Sequence, residues 1–470
     1  EPISKEHAKQ LLSNTFGKRY LMDGLRNMDR EELADWWKEL YTFYAKQEEW
    51  SAWMSNLTEG VGFTNGENPL SKQVAAALYG TELKNSVTRI EKYAACAYAH
   101  FLQYGLRLKE RAEYQFGGVD YGNVFHSALS IFPQQLKEKG ISWGKATKEE
   151  IQETVELCLQ KVTEDYGNEI LKSNQKNAYL IERMGRMLQR TVWALTKQLQ
   201  EGSFEPTGYE IYFTNLDGLE SARMDLGEKR MLRLNGQIDR LDQVEEEENV
   251  YIKVIDYKTG KMTFDISSMY YGLQMQLVVY MNAALEMEQQ KHKNKKVKTA
   301  GIFYYNIDDP MVERADSEEA VDQLLLKELR MNGLVNKEEH VISLLDRAFG
   351  NEDALSPSTK SWVIPVETVK DGSLGKRSSV ASDKEFQQMG KYVREKIVKE
   401  GKAILDGDIA ISPYRQGDKN ACKYCAYQAV CNFDTKLPGN QFRTLKKLGN
   451  DQVWKAIAME EDKKGGESDE

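Results

Sequence analysis

Cysteine is scarce in this chain, at five residues in 470. A secreted domain built on disulfides needs a higher density, so that class is excluded. Long apolar runs are missing too. No stretch approaches the roughly 18 apolar residues that a membrane-spanning helix requires. The opening "EPISKEHAKQ" lacks the apolar core of a signal peptide. A membrane is therefore not an expected partner. Positive charge is not in surplus: 64 Lys and Arg stand against 73 Asp and Glu, for a net charge of −9. Any phosphate-holding surface must be local. No GxxxxGK[ST] loop occurs; "WGKATKE" (143–149) has the Gly-Lys pair without the earlier glycine. This segment is not expected to hydrolyse ATP. No methionine opens the chain, so a piece of a longer protein is expected.

What is present is organised. The length allows two or three domains, and 41% hydrophobic residues can fill their cores. Residues 1 to about 60 carry Trp and Leu at helical spacing, and "TEGVGFTNGENPLS" (58–71) reads as a boundary loop. Helices are predicted over 86–108 (with Ser86 as N-cap), 147–166, 174–201, 267–290 and 383–405. Strands are predicted over 208–214, 230–244, 249–259 and 297–308. Residues 352–382 read as a long loop and the acidic "EEDKKGGESDE" end as disordered. Residues 413–450 hold seven Lys/Arg against two Asp, a local +5. "KHKNKKVK" (291–298) is a second basic block, with a solvated loop as its plainest reading.

Aspartate is depleted in strands, yet "GQIDRLD" and "VIDYKTG" put Asp239 and Asp256 on consecutive apolar strands. Paired carboxylates repel unless a proton or a cation sits between them. Mg²⁺ or Mn²⁺, with its taste for oxygen ligands, meets that need. Lys258 leaves the same strand face as Asp256. Its ammonium can orient a water and offset charge on a phosphate. Gln276 and Tyr280, four apart on a helix, share a face and can donate to phosphate oxygens. The bland alternative pairs Asp239 with Arg240 and makes Asp256–Lys258 a surface ion pair; the strand–turn–strand–helix setting favours the site. His126 in "DYGNVFHSALSIF" and Glu210 in "GYEIYF" suit a divalent ion chemically, but spacing alone puts neither there.

Cys422, Cys425 and Cys431 fall within ten positions, which points to a soft metal centre. One CxxC followed by a single Cys is not the paired-CxxC pattern of zinc. A four-thiolate iron–sulfur cluster and zinc both stay open on spacing. Cys158, in "VELCLQK", reads as a small buried hydrophobe.

In this order, "GNVFH", "GQIDRLD", "DYKTG" and "QLVVY" resemble the motifs of RecB-type nucleases of the PD-(D/E)xK superfamily. "SVTRIEKYAACAYAHFLQYGL" and "CKYCAYQAVC" resemble the two cysteine segments of AddB-type nuclease domains. The likeness covers about residues 86–435. One departure is Ala97, where the family often has Pro after its first cysteine. The resemblance implies an α/β, restriction-endonuclease-like core: a mixed central sheet flanked by helices. It implies a helical segment at 1–80 (the tail of an upstream helicase-like region), a nuclease domain at 81–435 and an extension at 436–470. His126, Asp239 and Asp256, with the Tyr257 carbonyl, become ligands of Mg²⁺ (or Mn²⁺). Lys258 becomes the catalytic lysine, and Gln276 and Tyr280 complete the family motif; Glu210 falls near a weaker carboxylate position. A [4Fe–4S] cluster on Cys96, Cys422, Cys425 and Cys431 is implied. So is a 5′–3′ exonuclease on single-stranded DNA fed by a helicase, paired with an AddA-type helicase–nuclease subunit. The setting would be double-strand-break repair by recombination in a bacterial cytoplasm. A free-standing iron–sulfur exonuclease and a DNA-end-binding scaffold with an inert site remain as alternatives.

Overall fold

The computed structural model describes residues 14–27, 35–62, 69–111, 117–165, 175–213, 219–350, 358–437 and 439–467. The chain divides into two compact units, residues 1–67 with 432–441 and residues 68–431 with 442–470. In the first, helices α1 (Asn14–Asn27), α2 (Asp35–Ala45) and α3 (Ser51–Gly62) follow the helical spacing of Trp and Leu. They bury Leu21, Trp37, Leu40, Tyr44 and Met54 together. Lys18 lies 3.3 Å over the Trp50 ring, sealing one edge with a cation.

The second unit begins with α4 (Lys72–Tyr79), so the boundary expected near residue 80 falls earlier. Strand β1 (Glu82–Ser86) and helix α5 (Val87–Ala95) follow. The single helix predicted over 86–108 is broken at Cys96, which is extended (φ −166°, ψ 115°). The Tyr98 N–H leaves the helical ladder for Ala410 O at 3.1 Å. A short helix (Ala97–His100) and a π turn (Phe101–Gly105) complete the segment. Three long helices come next: α6 (Gly118–Glu138), α7 (Lys148–Asp165) and α8 (Gln175–Glu201). Their Phe125, Leu129, Val155 and Leu188 form one core with residues of the central sheet.

Strands β2 (Glu205–Tyr212), β3 (Arg223–Gly227), β4 (Arg230–Asn235), β5 (Gln237–Glu245) and β6 (Asn249–Lys258) follow. The strand predicted over 230–244 is thus two. They part at Gly236, where the Phe213 ring fills the side-chain space; a Cβ there would lie 2.1 Å from it. β4 joins a separate sheet of order β1-β4-β3, which the sequence pattern does not reveal. The helix predicted over 267–290 also splits, into Ile266–Tyr270 and α9 (Gln276–Lys291). Gly272, at φ 82°, makes the turn between them. The remaining elements are β7 (Lys296–Asn306), α10 (Glu318–Glu328), β8 (Asn332–Asn336), β9 (Val380–Ala381), α11 (Asp383–Leu405) and α12 (Asn450–Glu467).

The central sheet has the order β2-β5-β6-β7-β8-β9. It is mixed: β2, β5 and β6 run antiparallel, while β6 and β7 are parallel. A parallel pair needs a crossover, and α9 supplies it. β6 is buried from Val250 to Tyr257, as its β-branched and aromatic residues suit. A second core takes Ile90 of α5, Leu277 of α9 and Val393 of α11. This is the helix-flanked mixed sheet that was expected.

Two expectations are corrected. The acidic end is not disordered through 467: it is helix α12, with Val453 and Ile457 in the core and Glu461 bonded to Lys391 at 2.8 Å. Residues 468–470 lie outside the described residues. The "KHKNKKVK" block is a turn whose Lys291, Lys295 and Lys298 pair with Glu288, Glu245 and Asp383. It is not a bare cationic patch. Among the described residues, no helix is long and apolar enough to cross a membrane.

Candidate active site

The site is built where β5 and β6 run side by side. Asp239 and Asp256 are only 7% and 2% exposed. Asp239 Oδ2 accepts from the Tyr257 N–H at 2.7 Å. Burial, and then the neighbouring Asp239, push the Asp256 carboxyl up to about 7, with Lys258 pulling the other way. Lys258 Nζ lies 2.5 Å from Asp256 Oδ2. The same ammonium donates to Gln276 Oε1 at 3.0 Å, and Gln276 Nε2 donates to the Tyr280 hydroxyl at 2.8 Å. Asp256, Lys258, Gln276 and Tyr280 therefore form one chain of contacts from strand to helix.

The bland alternative fails on geometry. Arg240 does not take Asp239. Its Nε donates to Asp242 Oδ1 at 2.6 Å, and Lys253 joins Asp242 at 3.3 Å. The Asp256–Lys258 pair is not at the surface, because Asp256 is buried.

His126 arrives from α6. Its Nδ1 lies 3.3 Å from Asp239 Oδ1 and 3.8 Å from Glu210 Oε1. Burial works to lower its pKa, but the bonds and charges of Asp239 and Glu210 outweigh it and raise the imidazole to about 10. Ligand atoms of His126, Glu210 and Asp239 all lie within 4.8 Å of one another. Glu210 stands outside the ligand set expected from the sequence, and the structure brings it in. It sits on edge strand β2 with φ 48°, a left-handed backbone rarely taken by glutamate. Such a conformation costs roughly 1–3 kcal/mol and persists where the surroundings impose it. Gln237 donates to its other carboxylate oxygen. The one signal in the sequence is a carboxylate in an otherwise apolar strand; the backbone twist that aims it leaves no trace in composition. Asp256 stands beside this trio, on the Lys258 side. Of Tyr257, the main chain bonds Asp239, while the ring is buried against Tyr305.

The donor set fits a hard divalent cation. It offers one imidazole and three clustered carboxylates whose mutual repulsion a cation would relieve.

The cysteines also converge. Cys96 is buried where α5 ends, and Cys422, Cys425 and Cys431 are half-buried. Burial, then Cys96, Cys425 and Cys431 nearby, push the Cys422 thiol up to about 11. Backbone N–H groups of Ala99, Tyr98 and Ser412 bond the Cys96 sulfur. Among the described residues, no three cysteine sulfurs lie within 4.8 Å of one another. Tetrahedral zinc would hold them about 3.8 Å apart. The set fits a larger four-thiolate group better. Cys158 is apart, in the α6–α8 core as expected.

The fold and this constellation define a nuclease of the PD-(D/E)XK class. The family model described as "PD-(D/E)XK nuclease superfamily" matches residues 84–432, and the chain belongs to that superfamily. Among curated proteins it is similar to the B subunit of the ATP-dependent helicase/deoxyribonuclease of Lachnoclostridium phytofermentans, 44% identical over 97% of this chain and 39% of that protein. The proteins of the same name from Alkaliphilus metalliredigens and Clostridium acetobutylicum are 35% and 34% identical, over 95% and 93% of this chain and 38% and 37% of theirs. The chain spans about two fifths of the length of these relatives.

Proposed function

We propose that the chain is the nuclease part of an AddB-type protein and hydrolyses phosphodiesters of single-stranded DNA with Mg²⁺ or Mn²⁺. The carrying observation is the buried Asp239–Asp256 pair beside Lys258, with His126 and Glu210 closing the set. His126, Glu210, Asp239 and Asp256, with the Tyr257 carbonyl, would hold the cation. When bound, it supplies Lewis-acid stabilisation of the phosphate and acidifies water. The Tyr257 N–H fixes which Asp239 oxygen faces the site. Lys258 holds its proton between Asp256 and Gln276, where it can orient a water and offset phosphate charge. Gln276 and Tyr280 offer donors along the same helix face.

The four cysteines would hold a [4Fe–4S] cluster, supported by the sulfur spacing and the N–H groups bonded to Cys96. Cys96 and Cys422 are 326 positions apart. Ligation would close a loop around the nuclease core and add its binding energy to folding. The relatives' names support work in a helicase–nuclease complex with an AddA-type partner, on DNA ends in the bacterial cytoplasm. The 5′-ended strand is the one expected to be cut, during recombinational break repair.

The test is cleavage of end-labelled single strands by wild type and Asp256→Ala. Mg²⁺-dependent cutting should vanish in the variant while the iron content stays. Wild-type cutting by Asp256→Ala would sink the site. Anaerobically purified protein should contain about four irons per chain; one stoichiometric zinc would sink the cluster.

A further inference from the structure

The end of the helix that carries Gln276 is held from another helix. Glu91 Oε1 accepts from the backbone N–H of Met275 at 2.6 Å and of Gln276 at 3.1 Å. The residue before α9, Met275, provides no side-chain cap. The first N–H groups of a helix need acceptors from outside its own ladder. Glu91, 184 positions upstream of Met275, supplies one. A carboxylate at this end is also favoured by the helix dipole. Burial raises the Glu91 carboxyl to about 7, while the two N–H bonds and Lys258 favour the anion. Glu91 stands on α5, whose last residue precedes Cys96. Its backbone is therefore anchored by the core residues Ile90 and Tyr93 and by the cysteine junction.

We propose that Glu91 is a positioning residue of the nuclease site: by fixing the Met275–Gln276 backbone it aims the Gln276 amide and, through it, the Lys258 ammonium. This rests on the nuclease reading above. Lys258 has two partners, Gln276 at 3.0 Å and Asp256 at 2.5 Å. If the first turn of α9 loosens, Gln276 loses its place and Lys258 is left to Asp256. The ammonium then sits where it neutralises a carboxylate instead of facing a phosphate. Substrate grip, which Glu91 does not make, is untouched. A merely structural Glu91, holding α5 against α9, would lower stability without separating kcat from KM.

The experiment is steady-state cleavage of single-stranded DNA in Mg²⁺, well below the melting temperature of each variant. Glu91→Ala should lower kcat about tenfold or more with KM within about twofold. Glu91→Gln keeps an acceptor oxygen and should recover most of the loss. Glu91→Ala combined with Gln276→Ala should be about as slow as the slower single variant, since both act through one contact. Three outcomes would overturn the assignment: wild-type kcat in Glu91→Ala, equal losses in the Ala and Gln variants, or losses that multiply in the double variant. If wild type itself fails to cut with Mg²⁺ or Mn²⁺, the nuclease reading falls and takes this assignment with it. The two failures are thus distinguishable.

Discussion

Strands β5 and β6 carry two charged clusters at alternating positions, and the two are built differently. Arg240, Asp242 and Lys253 form a closed network, with one carboxylate taken by two cations. Aromatic rings cover both cations: Trp143 lies 4.6 Å from the Arg240 guanidinium and Phe204 lies 4.9 Å from the Lys253 ammonium. Asp239 and Asp256 instead crowd with Glu210 around a single lysine and a histidine. One neighbour, Glu210, holds a strained backbone. Buried charge alone does not mark a functional site. A surplus of one sign, left for something else to neutralise, does.

That contrast can be broken most directly at Asp256. Asp256→Ala should cut the cleavage rate by about a thousandfold or more, because a ligand and the Lys258 partner are lost together. Thermal stability should hold or rise, since a buried carboxylate repelled by Asp239 is removed. A large fall in melting temperature would mean that Asp256 is structural. Asp242→Ala should do the reverse. It leaves Arg240 and Lys253 buried without their carboxylate, at a cost of roughly 3–5 kcal/mol. Denaturant unfolding measures this, and the cleavage rate of the folded fraction should stay within a few fold. Equal stability losses in the two variants would erase the distinction drawn between the clusters.

The same contrast explains what the sequence can reveal. Asp239, Asp256 and Lys258 are legible because polar residues in apolar strands violate strand composition, and Gln276 and Tyr280 because helical spacing sets a shared face. The α9 crossover and the order of the central strands follow from periodicity. The Arg240–Asp242–Lys253 network is not legible, because adjacent charges in a strand do not say which partner each takes. Glu210 needs its left-handed backbone, a product of the pairing of β2 with β5. The break at Cys96 is hidden inside helical spacing, since the bond from Tyr98 to Ala410 that draws the chain away is long-range. The small sheet β1-β4-β3 escapes for a similar reason: β1 pairs with a strand about 150 positions away, and local pattern carries no such information.

The smallest effect tests whether a raised carboxyl pKa by itself marks a site. Glu400 on α11 is a buried acid without the carboxylate cluster of Asp256, and Lys396 is its nearest cation at 3.8 Å. Burial pushes its carboxyl up to about 8, with Lys396 and Arg443 offsetting part of the shift. The unfolded value is about 4.3. The folded state therefore binds this proton more tightly than the unfolded one. Its contribution to stability is full below about pH 4 and is lost as pH rises toward and through 8. Glu400→Gln removes the titration while keeping the shape. The variant's melting temperature relative to wild type should climb by a few degrees between pH 5 and pH 9, while single-strand cleavage stays near the wild-type rate. A pH-independent difference would show that Glu400 does not titrate in this window. A thousandfold loss of cleavage would place it with Asp256, and the rule that surplus charge separates functional from structural acids would fail.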